Sequence, residues 1–230
     1  MAIQPVILTT PHRTSERVDA IRSAFLDTDG FDQPLVYCDD RGEGAAIATR
    51  EALALAGETG QHVLFLEDDL LVDPEAPATI AAAEFPAGVA VISFCDMREV
   101  PEFAPEGVYR CSPLGSDGRG WWGNQALLIH RDTVAMCSRE DWFGADLEST
   151  RGIRVHKATY DDDGRNCSDI RLALLIHLHG GERRDYAVHV PSVFKHVGVT
   201  SVCFPGRGMG ERETRNWIAD RRRYGIGAIS

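Results

Sequence analysis

Three short apolar runs separated by two helix-like stretches occupy about the first seventy positions, and this spacing is the pattern of an α/β chain with a doubly wound, mostly parallel sheet. Residues 5–10 (P-V-I-L-T-T) read as a buried first strand, stopped by Pro11. Thr14 and Ser15 are candidate caps for a helix whose Val18, Ile21, Phe25 and Leu26 recur at helical spacing. Gly30 and Pro34 bracket a turn, and 35–38 (L-V-Y-C) is a second strand ending at Asp39 and Asp40. Residues 45–56 are alanine-rich and helical, closing at Gly57. Residues 62–66 (H-V-L-F-L) are the third strand, with Glu67, Asp68 and Asp69 at its C-terminal end. In such sheets ligands bind beyond the carboxyl ends of the strands.

Further along, 76–85 is expected to be helical, 89–94 and 108–111 strands, and 115–123 a loop. Residues 125–130 read as another strand, followed by a helix from Asp132. Residues 144–168 are polar and irregular. Residues 170–178 are apolar almost all round and are expected to form a buried helix starting at Ser168 or Asp169. With no repeat or clear linker, one domain spanning 1–230 is expected.

Composition excludes several classes. The hydrophobic fraction of 43% and charged fraction of 26% are those of a globular protein. A formal charge of −11 argues against a broad electrostatic grip on nucleic acid. The arginines at 207, 212, 215, 221, 222 and 223 nevertheless make the tail basic, as a solvated charged helix or as an anion-binding element. Cysteines 38, 95, 111, 137, 167 and 203 contain no C-x-x-C pair, so neither a zinc knuckle nor a disulfide framework is expected. The start lacks a signal-peptide pattern and no apolar run reaches spanning length, so the expected location is cytoplasmic, with no membrane span.

The sharpest chemical feature is H-V-L-F-L-E-D-D-L-L-V, residues 62–72. Three consecutive carboxylates after a buried strand repel one another unless water or a cation compensates them. Mn²⁺ or Mg²⁺ bridging them to a diphosphate would do so, because hard cations take oxygen ligands. The other reading is an acidic loop that caps the next turn.

L-E-D-D resembles the D-x-D-type motif of GT-A glycosyltransferases, and the chain is identified by resemblance with that superfamily. Its fold would then be GT-A-like and Rossmann-type, with a nucleotide-binding half at about 1–95 and an acceptor and C-terminal half at about 96–230. The resemblance implies that Asp69 ligates the metal, and that Glu67 lies near the donor ribose or the metal. Thr9, Thr10 and Arg13, after the first strand, become donor-side candidates with Asp68, and Asp39 and Asp40 could approach the base or ribose. Trp121-Trp122-Gly123-Asn124-Gln125-Ala126 resembles the W/Y-G-x-Q-A segment between donor and acceptor sites. Glycine there lets backbone approach a ligand, and tryptophan offers an apolar face with an N–H donor. Val190 to Gly198 (V-P-S-V-F-K-H-V-G) resembles a P-S-L-x-Q-H-x-G segment whose histidine, here His196, is a metal ligand or diphosphate contact. His177, His179 and His189 have no such support and read as structural. Glycines 206, 208 and 210 around Arg207 are a diphosphate-covering segment or a plain surface loop. Asp169 matches the acidic general base of inverting members, and equally an N-cap. Asp161 to Asp163 read as a solvated turn.

The function implied is metal-dependent transfer of a sugar from a nucleotide-sugar donor, a UDP-sugar being the commonest, to an acceptor hydroxyl with inversion. The acceptor is a glycan, a small molecule or a modified nucleic acid. Alternatives are a transferase acting on hydroxymethylated bases of phage DNA, and a non-catalytic nucleotide-sugar-binding protein. A nucleotidyltransferase would carry a G-x-G-T-R-type loop where this chain reads T-T-P-H-R-T.

Overall fold

The computed structural model describes residues 2–13, 15–96, 99–111, 123, 125–148, 168–197 and 214–223. Strands β1 (Ile3–Thr9), β2 (Leu35–Cys38) and β3 (His62–Glu67) alternate with helices α1 (Ser15–Phe25) and α2 (Ala45–Gly57). They are followed by β4 (Leu70–Val72), α3 (Ala76–Ala81), β5 (Val89–Ser93), β6 (Gly107–Cys111), β7 (Ala126–Ile129), α4 (Arg131–Arg139) and α5 (Ala145–Glu148). The last described elements are α6 (Ser168–His179), β8 (Asp185–Val190), β9 (Phe194–His196) and α7 (Ile218–Arg223).

Seven strands make one sheet in the order β2-β1-β3-β7-β5-β8-β6, and β4 pairs with β9 in a separate ribbon. Strands β1, β2, β3, β5 and β8 run one way, whereas β7 and β6 run against their neighbours. The sheet is thus mixed and mostly parallel, as the alternating pattern predicts. β7, from the second half of the chain, is inserted between β3 and β5, so strands from the two halves interleave.

The apolar runs are continuous because both sheet faces are covered. Val63 and Phe65 enter a core beneath α2, α4 and α6, while Leu64 and Leu66 enter a second core with Ile21 and Phe25 of α1. These four side chains of β3 are fully buried, each contributing about 1.5–3 kcal/mol. The edge strand β2 shows the opposite pattern, alternating between partly buried and exposed. This arrangement aims the polar ends of β1, β2 and β3 at a common rim.

The 76–85 helix stops at Ala81. Pro86 disfavours helical backbone at Phe85, and the Phe85 ring instead stacks on His62 and meets His130 edge-on. Both imidazoles work as neutral acceptors: His62 Nδ1 takes the Arg131 N–H at 3.1 Å, and His130 Nδ1 caps α4 through the Asp132 N–H at 3.2 Å. Burial, helped by the neighbouring His130, Arg131 and Arg183, pushes His62 down to about 4. Its contribution to stability is therefore complete above the ordinary histidine value and is lost as pH falls from about 6.5 towards 4. The melting temperature is expected to drop across that window, and to drop less steeply in His62→Gln. Equal slopes for the two proteins would contradict this.

The described part of the basic tail departs from the solvated reading at Arg221, whereas Arg222 and Arg223 are exposed. Arg221 is buried, giving Nη1 to the Ala104 carbonyl at 2.6 Å and to Asn216 Oδ1 at 3.2 Å. Arg222 holds both oxygens of buried Asp73 at 3.2 and 3.3 Å. These arginines fasten α7 to the body of the protein; Arg207 and Arg212 lie outside the described residues. No disulfide forms among the described residues, and no helix among them is long and apolar enough to cross a membrane.

Candidate functional site

The site lies where β1 and β3 end. Asp68 ties the two strand ends together: Thr9 Oγ1 donates to its Oδ2 at 2.6 Å, and Arg13 Nη1 stands 3.3 Å from its Oδ1. A backbone hydrogen bond from Thr10 adds to this hold. Burial nonetheless outweighs these partners and leaves the Asp68 carboxyl above its usual range. Asp68 is thus engaged in holding the 10–13 turn over the end of β3.

Asp69 points elsewhere. Its Oδ2 lies 3.2 Å from His196 Nε2 and 3.2 Å from Arg13 Nη1. The β4–β9 ribbon makes this meeting possible by setting Leu70 opposite His196, with the Val197 N–H bonded to the Asp69 carbonyl at 2.8 Å. Burial pushes the Asp69 carboxyl up, but the His196 hydrogen bond and charge, with those of Arg13, outweigh it and hold the group below its usual range. Glu67 lacks that relief. Burial, then the charges of Asp69, Asp169 and Asp68, push it to about 8 against the pull of Arg13.

Asp169, at the first turn of α6, is therefore close enough to act electrostatically on Glu67. Its Oδ1 accepts the Ile170 N–H at 2.9 Å, a contact with the next residue and not an N-cap bond, since the helix already begins at Ser168. Gln125 approaches through its backbone, whose carbonyl takes the Glu67 N–H at 2.9 Å. Beside it Gly123 has φ +92, and a Cβ there would stand 2.4 Å from the Gln125 amide nitrogen. Gly123→Ala is expected to cost about 1–2 kcal/mol from the backbone alone and to displace Gln125. An unchanged urea midpoint would contradict that.

The other positions fall out as follows. Asp39 and Asp40 lie one strand over, at the end of β2; Asp39 Oδ1 accepts the Gly42 N–H at 3.0 Å in a local turn, and Asp40 is exposed. Both act electrostatically, with Asp68, on the Cys38 thiol, whose pKa is raised first by burial. Trp121, Trp122, Asn124, Arg207 and Asp161 to Asp163 lie outside the described residues. His189 is structural, its ring stacked on Phe94.

Among the described residues, no three His, Cys, Asp or Glu side chains already converge as a cation cage. Asp69 and His196 do meet, and each keeps one buried atom, Asp69 Oδ1 and His196 Nδ1, without a hydrogen-bond partner. A hard carboxylate oxygen beside an imidazole nitrogen is a donor set suited to a divalent ion of the Mn²⁺ type. Unpartnered buried polar atoms are costly, which makes this pair the exceptional spot in the region.

No family model matches the chain, and no curated protein matches it. Among solved structures it is similar to a glycosyltransferase involved in the glycosylation of the major capsid of PBCV-1, at 12% identity. That likeness covers 86% of this chain and 94% of the other, with a TM-score of 0.41. A likeness so distant says nothing of substrate or chemistry.

Proposed function

We propose that this chain is a glycosyltransferase that moves a sugar from a nucleoside-diphosphate donor to an acceptor hydroxyl at the rim formed by β1, β3 and β9. The observation that carries the reading is the approach of Asp69 and His196 to 3.2 Å, because the two motifs holding them are far apart in sequence. Asp69 and His196 would hold the divalent ion, Mn²⁺ or Mg²⁺, with Glu67 alongside. When bound, such an ion offsets negative charge on a departing diphosphate. Arg13, with about a quarter of its side chain exposed, places a permanent cation at the lip of the cluster, suited to phosphate oxygens. Asp68 keeps the turn bearing Arg13 in register with β3. A UDP-sugar is the favoured donor on the resemblance of the motifs.

In the transfer step the acceptor oxygen bonds to the anomeric carbon as the bond from that carbon to phosphate breaks. The displacement is direct, which inverts the anomeric centre, and Asp169 takes the acceptor proton. Its place beside Glu67 at the head of a buried helix supports that role. Asp169→Asn is expected to lower turnover by about 10²–10⁴-fold while leaving donor affinity within a few-fold of wild type. The check is nucleoside diphosphate released from a panel of nucleotide sugars, alongside binding of the same donors. Undiminished release by the variant would remove Asp169 from the mechanism.

A further inference from the structure

The β4–β9 ribbon has an alternation that singles out one backbone group. The Asp69 carbonyl takes the Val197 N–H at 2.8 Å, and the Val193 carbonyl takes the Asp73 N–H at 3.0 Å. Antiparallel ladders alternate between hydrogen-bonded and non-hydrogen-bonded pairs. Pairs 69/197 and 73/193 are bonded, so the Leu70/His196 and Val72/Phe194 pairs are the non-bonded ones. The N–H groups of Phe194 and His196 therefore face away from β4. That of Phe194 goes to the Phe94 carbonyl at 3.3 Å, and that of His196 goes to the Thr214 hydroxyl at 3.0 Å.

Thr214 is well held for this task. It is buried, and its Oγ1 lies 3.6 Å from the buried Cys95 sulphur, two residues past the end of β5. The next two residues are anchored: the Arg215 N–H bonds the Asp96 carbonyl at 2.8 Å, and Asn216 Nδ2 bonds Asp96 Oδ2 at 2.8 Å. The Ser192 N–H bonds the Asn216 carbonyl at 2.9 Å, which ties the same strap to the start of the His196 segment. The outer edge of β9 is thus fixed by a side chain from 18 residues downstream, while its inner edge is fixed by the strand that follows Asp69.

We infer that Thr214 is a positioning residue for His196, its hydroxyl and the Cys95 thiol forming a seat that sets the imidazole against Asp69. The inference deepens the proposed function and rests on it in taking the Asp69–His196 pair as the working pair of the site. A residue behind a ligand commonly governs affinity through the orientation it imposes. Threonine does so here through the main chain of the histidine instead of its ring.

The test compares wild type, Thr214→Val, which keeps the shape and removes the acceptor, and Thr214→Ser, which restores it. Two readouts are taken: the ring carbon and nitrogen NMR signals of His196 without any metal, and Mn²⁺ affinity by electron paramagnetic resonance. Thr214→Val is expected to shift the His196 ring signals, leave those of His62 and His130 in place, and weaken Mn²⁺ by about tenfold or more. Thr214→Ser is expected to return both readouts to wild type. Should the valine variant not fold, Thr214→Ala carries the same expectation. Unmoved His196 signals would overturn the inference. If wild type binds no Mn²⁺, the cation reading of the site fails, and the His196 signals alone still decide whether Thr214 positions the ring.

Discussion

Asp69→Asn is expected to fold and to lose sugar transfer by about 10²–10³-fold, the scale seen when one preorganised electrostatic contact is removed from a reacting centre. The substitution keeps the volume and removes the charge. His196 and Arg13 hold Asp69 below the usual carboxylate range, so the wild-type site presents a full negative charge at neutral pH. Asparagine cannot. The loss to stability is smaller in consequence, because Arg13 keeps Asp68 as a partner at 3.3 Å. Hydrogen bonds to charged groups contribute roughly 1.5–3 kcal/mol, which bounds the destabilisation. Initial rates at saturating donor, with a denaturation curve on the same sample, check both halves. A rate within tenfold of wild type would contradict the placement of Asp69 at the centre of the site.

Asp96→Ala is expected to show its largest effect on stability, because the residue fastens the strap behind the rim. Asp96 is fully buried. Its Oδ1 accepts the Glu99 and Val100 N–H groups at 3.0 and 3.3 Å, and its Oδ2 accepts Asn216 Nδ2 at 2.8 Å. Alanine would strand three donors in a dry interior, each costing about 1–3 kcal/mol, so a total on the order of 3–5 kcal/mol is expected. The same change releases the strap that carries Thr214. Glu99 would respond too, since burial, followed by the Asp96 charge, pushes it to about 8. Urea denaturation checks the magnitude, and a loss below about 1 kcal/mol would show that the knot is not the fastening described.

Most of the sheet was legible because its strands are buried on both faces, and residues 63–66 advertise that as an unbroken apolar run; β8, between β5 and β6, was not singled out, since its apolar residues are broken by Asp185 and His189. The elements that complete the site were not. β4 and β9 have three residues each, too short for periodicity, and their pairing joins distant parts of the chain. His196 could be singled out from its local sequence, but Thr214 could not, since a hydroxyl that accepts one backbone N–H leaves no pattern around itself. The tail arginines mislead for a related reason. Charge composition suggests solvent, whereas the carbonyl of Ala104 and the carboxylate of Asp73 that receive Arg221 and Arg222 are unremarkable in sequence. Asp68 and Asp69 show how adjacent acidic residues divide their work, Asp68 bracing a turn while Asp69 keeps an unpartnered buried oxygen; Asp39 closes a separate turn after β2.

The central claim is a donor site on Asp69 and His196, and calorimetric titration tests it most directly. A panel of nucleoside diphosphates is titrated with Mn²⁺ and with chelator into wild type and Asp69→Asn. The account predicts binding of one nucleotide that needs the metal and disappears in the variant. Binding that survives both chelation and the substitution would contradict it, and so would no binding by wild type under any condition.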